Sequence, residues 1–232
     1  MKHTRTSRPR LLAWGAIVLS ALLGVALATV PSAGALGTTP HAHHEAAAVS
    51  TPRVARSDFH DQMRTLWEDH ITWTRLSIVT FADESPGFGA TADRLLQNQS
   101  DIGDAIAPFY GRAAGDQLTA LLRDHITIAV ELLQAVRAED TEAFDAARMR
   151  WYANGNDIAD LLSAAAPRSW PNDLVRADMK QHLDQTLAQA AHELNAEYTA
   201  SVADYEVIHA HILMMADRLS DGIIAQFPSR FR

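Results

Sequence analysis

Beyond about residue 58, apolar residues recur at spacings of three and four, with almost no alternating β-branched runs, which is the period of amphipathic helices. Six are predicted. The first runs from Asp58 to Asp83 with Phe59, Met63, Leu66, Trp67, Ile78 and Phe81 on its inner stripe, and the turn containing Pro86, Gly87 and Gly89 ends it. The second runs from Thr91 to Ala107 and stops at Pro108, since proline lacks the amide hydrogen that continues a helix. The third covers Ala114 to Ala138. The fourth opens at Asp140 or Thr141, whose side chains can cap free amides, and reaches Ala165 ahead of Pro167. The fifth spans Pro171 or Asn172 to Asn195, and the sixth Thr199 to Gln226, ended by Pro228. Short breaks between long helices imply antiparallel neighbours, so residues 58–228 read as an all-α, six-helix bundle made of three hairpins.

The hairpins repeat one another. Asp69-His70-Ile71-Thr72 recurs as Asp124-His125-Ile126-Thr127 and, more faintly, as Gln181-His182-Leu183-Asp184, with 55 residues from His70 to His125 and 57 from His125 to His182. The return helices repeat as well. Asn98-Gln99-Ser100-Asp101-Ile102 matches Asn154-Gly155-Asn156-Asp157-Ile158, and Ala159-Asp160-Leu161-Leu162-Ser163 matches Ala216-Asp217-Arg218-Leu219-Ser220, which makes Asn98, Asn154 and His211 equivalent. In each hairpin the marked pair lies about equally far from the turn, so His70 with Asn98, His125 with Asn154, and His182 with His211 fall at one height.

All six positions sit on apolar stripes, which predicts a buried polar layer. Each buried imidazole or amide left unpaired costs about 1–3 kcal/mol, so the six must satisfy one another or bind something else. Two readings follow. The layer specifies helix pairing, as a buried polar residue does in coiled coils. Alternatively His70, His125, His182 and His211 hold a transition metal such as Cu, Zn, Ni or Fe, since neutral imidazoles from different helices suit such ions. Asn98 and Asn154, with Trp67 and Trp151, would then line the ligand site. Met179, Met214 and Met215 stand three or four residues from His182 or His211, and a thioether among the ligands would favour copper. Asp101 and Asp157 fall beside the layer as supporting groups.

Before the helices, Lys2, Arg5, Arg8 and Arg10 precede an uncharged apolar run from Leu11 to Val30, followed by Pro31 and small residues up to Ala35. This is an export signal, either cleaved after Ala35 or, being long enough to span a bilayer, kept as an N-terminal membrane anchor. Basic residues ahead of the run place the rest outside the cytoplasm, secreted or anchored. Residues 36–57, rich in Ala, Thr and Pro and carrying His41, His43 and His44, read as a disordered linker with loose metal-binding capacity. A net charge of −8 offers no basic surface for nucleic acid, and the absence of cysteine removes disulfides, thiolate ligands, cysteine nucleophiles and a lipidated cysteine.

Enzymatic signals are sparse. The chain has no glycine-rich phosphate loop, no Gly-x-Ser-x-Gly elbow and no zincin motif. A ferritin-type di-iron site needs two Glu-x-x-His motifs, and only Glu206-Val207-Ile208-His209 is present, two residues from His211 and so on another face. No residue is assigned a catalytic role. Leu66-Trp67-Glu68-Asp69-His70, Leu95-Leu96-Gln97-Asn98, Pro108-Phe109-Tyr110-Gly111, Trp151-Tyr152-Ala153-Asn154 and Ile223-Ile224-Ala225-Gln226-Phe227-Pro228 together resemble a family of exported bacterial helical-bundle proteins of no established function. Members sometimes carry the names glycosyltransferase or acetylglutamate kinase, for which this sequence has no sugar-nucleotide site or kinase loop. The resemblance covers roughly Phe59 to Pro228 and implies domain limits but no reaction. The sequence therefore leads to an exported bundle that binds a metal or small ligand at the layer, or to an envelope domain in which the layer only sets helix pairing.

Overall fold

The computed structural model describes residues 53–232, so the targeting segment 1–35 and the linker histidines lie outside the described residues. Six helices follow in order: α1 (Arg56–Ala82), α2 (Phe88–Tyr110), α3 (Arg112–Arg137), α4 (Thr141–Ala165), α5 (Asn172–Leu194) and α6 (Tyr198–Gln226), then a short 3₁₀ turn at Pro228–Arg230. The protein is an all-α bundle. Asp140 caps α4 as its residue type requires, its side chain accepting from the Ala143 amide at 2.9 Å.

Pro108 does not end α2, which continues through it to Tyr110. A proline in the last turn removes one bond but leaves the rest of the helix intact. The stop is Gly111, whose φ of 90° lies in the region that favours glycine and whose amide bonds to the Ala107 carbonyl at 2.9 Å before α3 starts. The end of the expected linker also needs correcting. α1 begins at Arg56, and Val54 pairs with Phe231 through bonds from Val54 N to Arg230 O (3.0 Å) and from Arg232 N to Val54 O (3.1 Å). The domain likewise extends past residue 228, because Phe231 is buried and stacks on Phe109 with centroids 5.5 Å apart.

Each helix packs on the next in the chain, and α6 returns to α1 and closes the ring. The three helices that open the hairpins also meet inside. α1 touches α5 directly, and Ile78 and Phe81 of α1 form one apolar cluster with Leu133 of α3 and Ala190 of α5. Arg137 of α3 donates to the Phe81 carbonyl and lies over the Phe81 ring. Among the described residues, no helix is long and apolar enough to cross a membrane.

Helices α2 and α3 approach closely where Gly103 faces Gly115. A Cβ built on Gly103 would stand 2.0 Å from Thr119 Oγ1 and 2.6 Å from the Gly115 carbonyl, and one on Gly115 would stand 2.6 Å from the Gly103 carbonyl. Backbone cannot give way as a flexible side chain can, so Gly115→Ala must push the helices apart. It is expected to lower stability by about 1–3 kcal/mol, read as a lower urea midpoint with unchanged slope.

Candidate functional site

The six layer residues are all buried, none more than 7% exposed. Their hydrogen bonds repeat from hairpin to hairpin. Asn98 Nδ2 donates to the Leu66 carbonyl at 2.9 Å, Asn154 Nδ2 to the Leu121 carbonyl at 3.0 Å, and His211 Nε2 to the Asp178 carbonyl at 3.0 Å. In every case the acceptor is four residues before the layer histidine of the partner helix. Equivalence of Asn98, Asn154 and His211 is thus a matter of identical bonding as well as of sequence.

The second copy is complete. Asn154 spends its amide hydrogens on the backbone and offers Oδ1 to His125 Nδ1 at 2.9 Å. An amide oxygen only accepts, so His125 carries its proton on Nδ1 and keeps the lone pair on Nε2. Trp151 stacks on His125 with centroids 5.0 Å apart and donates from Nε1 to the His125 carbonyl at 3.1 Å.

The first copy is crowded. Gln99, fully buried, brings Nε2 within reach of the Leu95 carbonyl (2.7 Å), Asn98 Oδ1 (3.2 Å) and His70 Nδ1 (3.3 Å). It has two hydrogens for three acceptors, and its Oε1 has no partner. Trp67 meets His70 edge-on at 5.7 Å, with its Nε1 buried and unpaired. Sequence reasoning did not single out Gln99, whose counterparts are Gly155 and Ile212, so the repeat gave no signal for it.

The third copy lacks a bond. Histidine replaces asparagine at 211, and the ring nitrogen that meets the Asp178 carbonyl must be an N–H donor. No amide oxygen then remains for the hairpin's own histidine, and His182 Nδ1 is buried without a partner. The His182 ring lies 5.7 Å from that of His70, across the contact of α5 with α1.

Burial keeps these imidazoles neutral, because the protonated form loses its hydration. It pushes His125 down to about 4, and His70, with the charge of His125 adding, down to about 3. His182 is held well below the ordinary value by burial and then by His70, His125 and His211, while burial alone lowers His211. His182 is thus close enough to the other three rings for a charge on any of them to disfavour its own. Neutral imidazole is the form that ligates metals.

Other expectations fall differently. Met214 is exposed while Met179 and Met215 are buried, so Met214 does not face the layer. Asp101 pairs with Gln97 on the surface and Asp157 is exposed. His209 turns outward to Glu68 at 3.0 Å, on a different face from His211. Among the described residues, no three His, Asp or Glu side chains are spaced to hold a metal ion as they stand.

A second constellation was not visible in the sequence, because its members lie far apart in the chain. Ser220 Oγ is 2.7 Å from His60 Nδ1, and His60 Nε2 is 3.2 Å from Asp221. These are the residue types of a nucleophilic triad. Ser220 is fully buried, however, and its hydroxyl donates to the Ala216 carbonyl at 2.8 Å, so it is neither reachable nor activated. The arrangement ties α1 to α6. No protein family, curated protein or solved structure matches this chain.

The histidines set an acid limit on stability. Unfolded, each titrates at its ordinary value of 6.5, whereas folded it resists protonation to about 4 at His125 and about 3 at His70. The stability they contribute is full above about pH 6.5 and is lost as pH falls towards 4, at about 1.4 kcal/mol per pH unit for each histidine. His125→Gln should reduce the slope of urea stability between pH 6 and 4.5 by about one proton, roughly 1.4 kcal/mol per unit. An unchanged slope would mean that His125 is not buried neutral.

Proposed function

We propose that this is an exported helical-bundle protein that binds a transition-metal ion at the histidines of its inner helices, His70, His125 and His182, with His211 beside them, for storage, sensing or delivery. The observation that carries this reading is the buried, unpartnered Nδ1 of His182, on a ring whose centroid lies 5.7 Å from that of His70. Two imidazoles on one tetrahedral ion, with metal to nitrogen distances of about 2 Å, have centroids about 5 Å apart. The His70 and His182 rings are within an ångström of that separation. His125 is held by Asn154 through Nδ1, which leaves Nε2 for a metal and supplies the oriented outer partner that ligating histidines commonly have. Binding requires the imidazoles to turn towards a common point. Trp67 and Trp151 flank the site as walls.

A second reading is favoured by the bond that Asn98, Asn154 and His211 make in all three hairpins. In that reading the protein is a non-catalytic structural or interaction domain of the cell envelope, and the layer serves only to pair helices. Both readings place the bundle outside the cytoplasm, on the strength of the basic and apolar N-terminal segment.

Elemental analysis separates them. The full chain, purified without a His tag and dialysed free of loosely bound ions, should retain close to one equivalent of Cu, Zn, Ni or Fe, and the His125→Ala/His182→Ala variant should retain none. A folded wild-type protein that stays metal-free when offered each ion in turn would leave the structural reading, in which the same substitutions only lower stability.

A further inference from the structure

Charge is distributed unevenly along the bundle. Of the 20 Lys and Arg residues, Lys2, Arg5, Arg8 and Arg10 belong to the targeting segment, whereas all 28 Asp and Glu follow it, so composition alone would make either end of the ring acidic. The end built from the three hairpin turns is acidic, with Asp83, Glu84, Glu139, Asp140, Glu142 and Glu197 around the single cation Arg137. The open end, where α1, α3 and α5 begin and α2, α4 and α6 finish, is not. Arg53, Arg56, Arg168, Arg230 and Arg232 gather there, all but Arg230 exposed. Among the described residues, none of these five is ion-paired.

Packing holds these arginines on one face. The pairing of Val54 with Phe231 sets Arg53 beside Arg230 and Arg232, and the Arg56 amide reaches the Arg232 carbonyl at 3.4 Å. Arg230 lies over the Phe109 ring, and Gln226 Nε2 donates to the Ala165 carbonyl at 2.9 Å, which ties the turn carrying Arg168 to the same end. The acids nearby are mostly engaged. Arg112 holds Asp104 at 2.6 Å and Asp116 at 2.5 Å, and Asp221 is 3.2 Å from His60. In the terminal turns Asp58 and Asp173 remain against the five arginines. A helix as long as α1, with 27 residues, separates the two ends by about 40 Å, several times the screening length of about 8 Å, so the acidic end does not cancel the field of this one.

The chain also enters the ring at this end, through Arg53, so the apolar run from Leu11 to Val30 is attached on the arginine side. We propose that the open end of the bundle is a docking face for an anionic phospholipid surface, with the guanidinium groups of Arg53, Arg56, Arg168, Arg230 and Arg232 against the headgroup phosphates. The same surface repels the acidic end, which orients the bundle with its hairpin turns away from the lipid. The inference rests on the export part of the proposed function and is independent of the metal.

The six helices and the core they bury lie within residues 53–232, so the test uses residues 36–232, without the apolar run that would itself enter a bilayer. Co-sedimentation at low salt with vesicles of phosphatidylglycerol and phosphatidylcholine in equal parts should show saturable binding that falls steeply as salt rises and is absent from pure phosphatidylcholine. An arginine near an anionic surface is worth roughly fivefold, so Arg53→Gln/Arg56→Gln/Arg168→Gln, at three exposed positions, should bind about a hundredfold more weakly with an unchanged urea midpoint. Arg123→Gln/Arg148→Gln/Arg150→Gln removes the same charge from the flank and should bind within about threefold of the wild type, since screening limits its reach. No binding to the anionic vesicles, equal binding to phosphatidylcholine, or equal loss in the two triple variants would overturn the docking face. Sedimentation without vesicles that the first triple variant abolishes would overturn it too, and would assign the arginines to the acidic end of a second copy. Export is read separately by fractionating cells that make the full chain. Protein held in the cytoplasm would overturn the export reading, a result distinct from absent vesicle binding.

Discussion

The architecture depends on one bond made three times. In a helix the carbonyl of Leu66 already accepts from the amide of His70, four residues on, and its second lone pair is free. Asn98 takes that lone pair from the antiparallel neighbour, as Asn154 does at Leu121 and His211 at Asp178. Apolar packing alone tolerates sliding of one helix along another. A buried donor that has one carbonyl within reach does not, because a slip by one turn strands it. Each hairpin is thus pinned at one height, and three pinned hairpins bring His70, His125 and His182 to a common level inside the ring.

Replacing asparagine by histidine at 211 keeps this pin and removes something else. Asparagine has a donor for the backbone and an acceptor for the neighbouring imidazole, both on one short amide. Histidine keeps the donor, but its second nitrogen sits elsewhere on a wider ring. His125 therefore has Asn154 Oδ1, and His182 has no partner on Nδ1. The asymmetry of the third copy, visible in the sequence as one changed letter, becomes an unpaired nitrogen at the point where α5 meets α1.

Most of the fold was legible because length, period and turn residues agreed, and the layer was legible because an internal repeat shows which positions correspond. Burial of all six residues follows from their places on apolar stripes. What escaped has physical reasons. The end of α2 was assigned to Pro108, but proline near a C-terminus removes a single bond, and the decisive backbone angle belongs to Gly111. Gln99 reads as a surface residue by type and has no polar counterpart in the other copies. The Val54 to Phe231 pairing and the contact of His60 with Ser220 join residues 177 and 160 positions apart, which no local pattern encodes. Met214 and Met215 are adjacent on one helix, and which of them faces in is decided by how α6 packs on α1 and α5.

The unpaired polar atoms are not scattered evenly. Among the described residues, Trp67 Nε1 and Ser77 Oγ belong to α1, His182 Nδ1, Gln185 Oε1 and Gln189 Nε2 to α5, and the remaining three, Arg94 Nη1, Gln99 Oε1 and Thr119 Oγ1, to α2 and α3. Helices α1 and α5 are the two inner helices that touch across the ring. Each such atom costs about 1–3 kcal/mol, so a seam carrying several is a local departure from what stability alone would select. Around His125 the same fold satisfies its polar groups, since His125, Asn154 and Trp151 all have partners. The larger share of the unmet bonding capacity lies along one seam, beside a cavity and a cluster of neutral imidazoles, and it is on this local loss of consistency that the proposed binding reading rests.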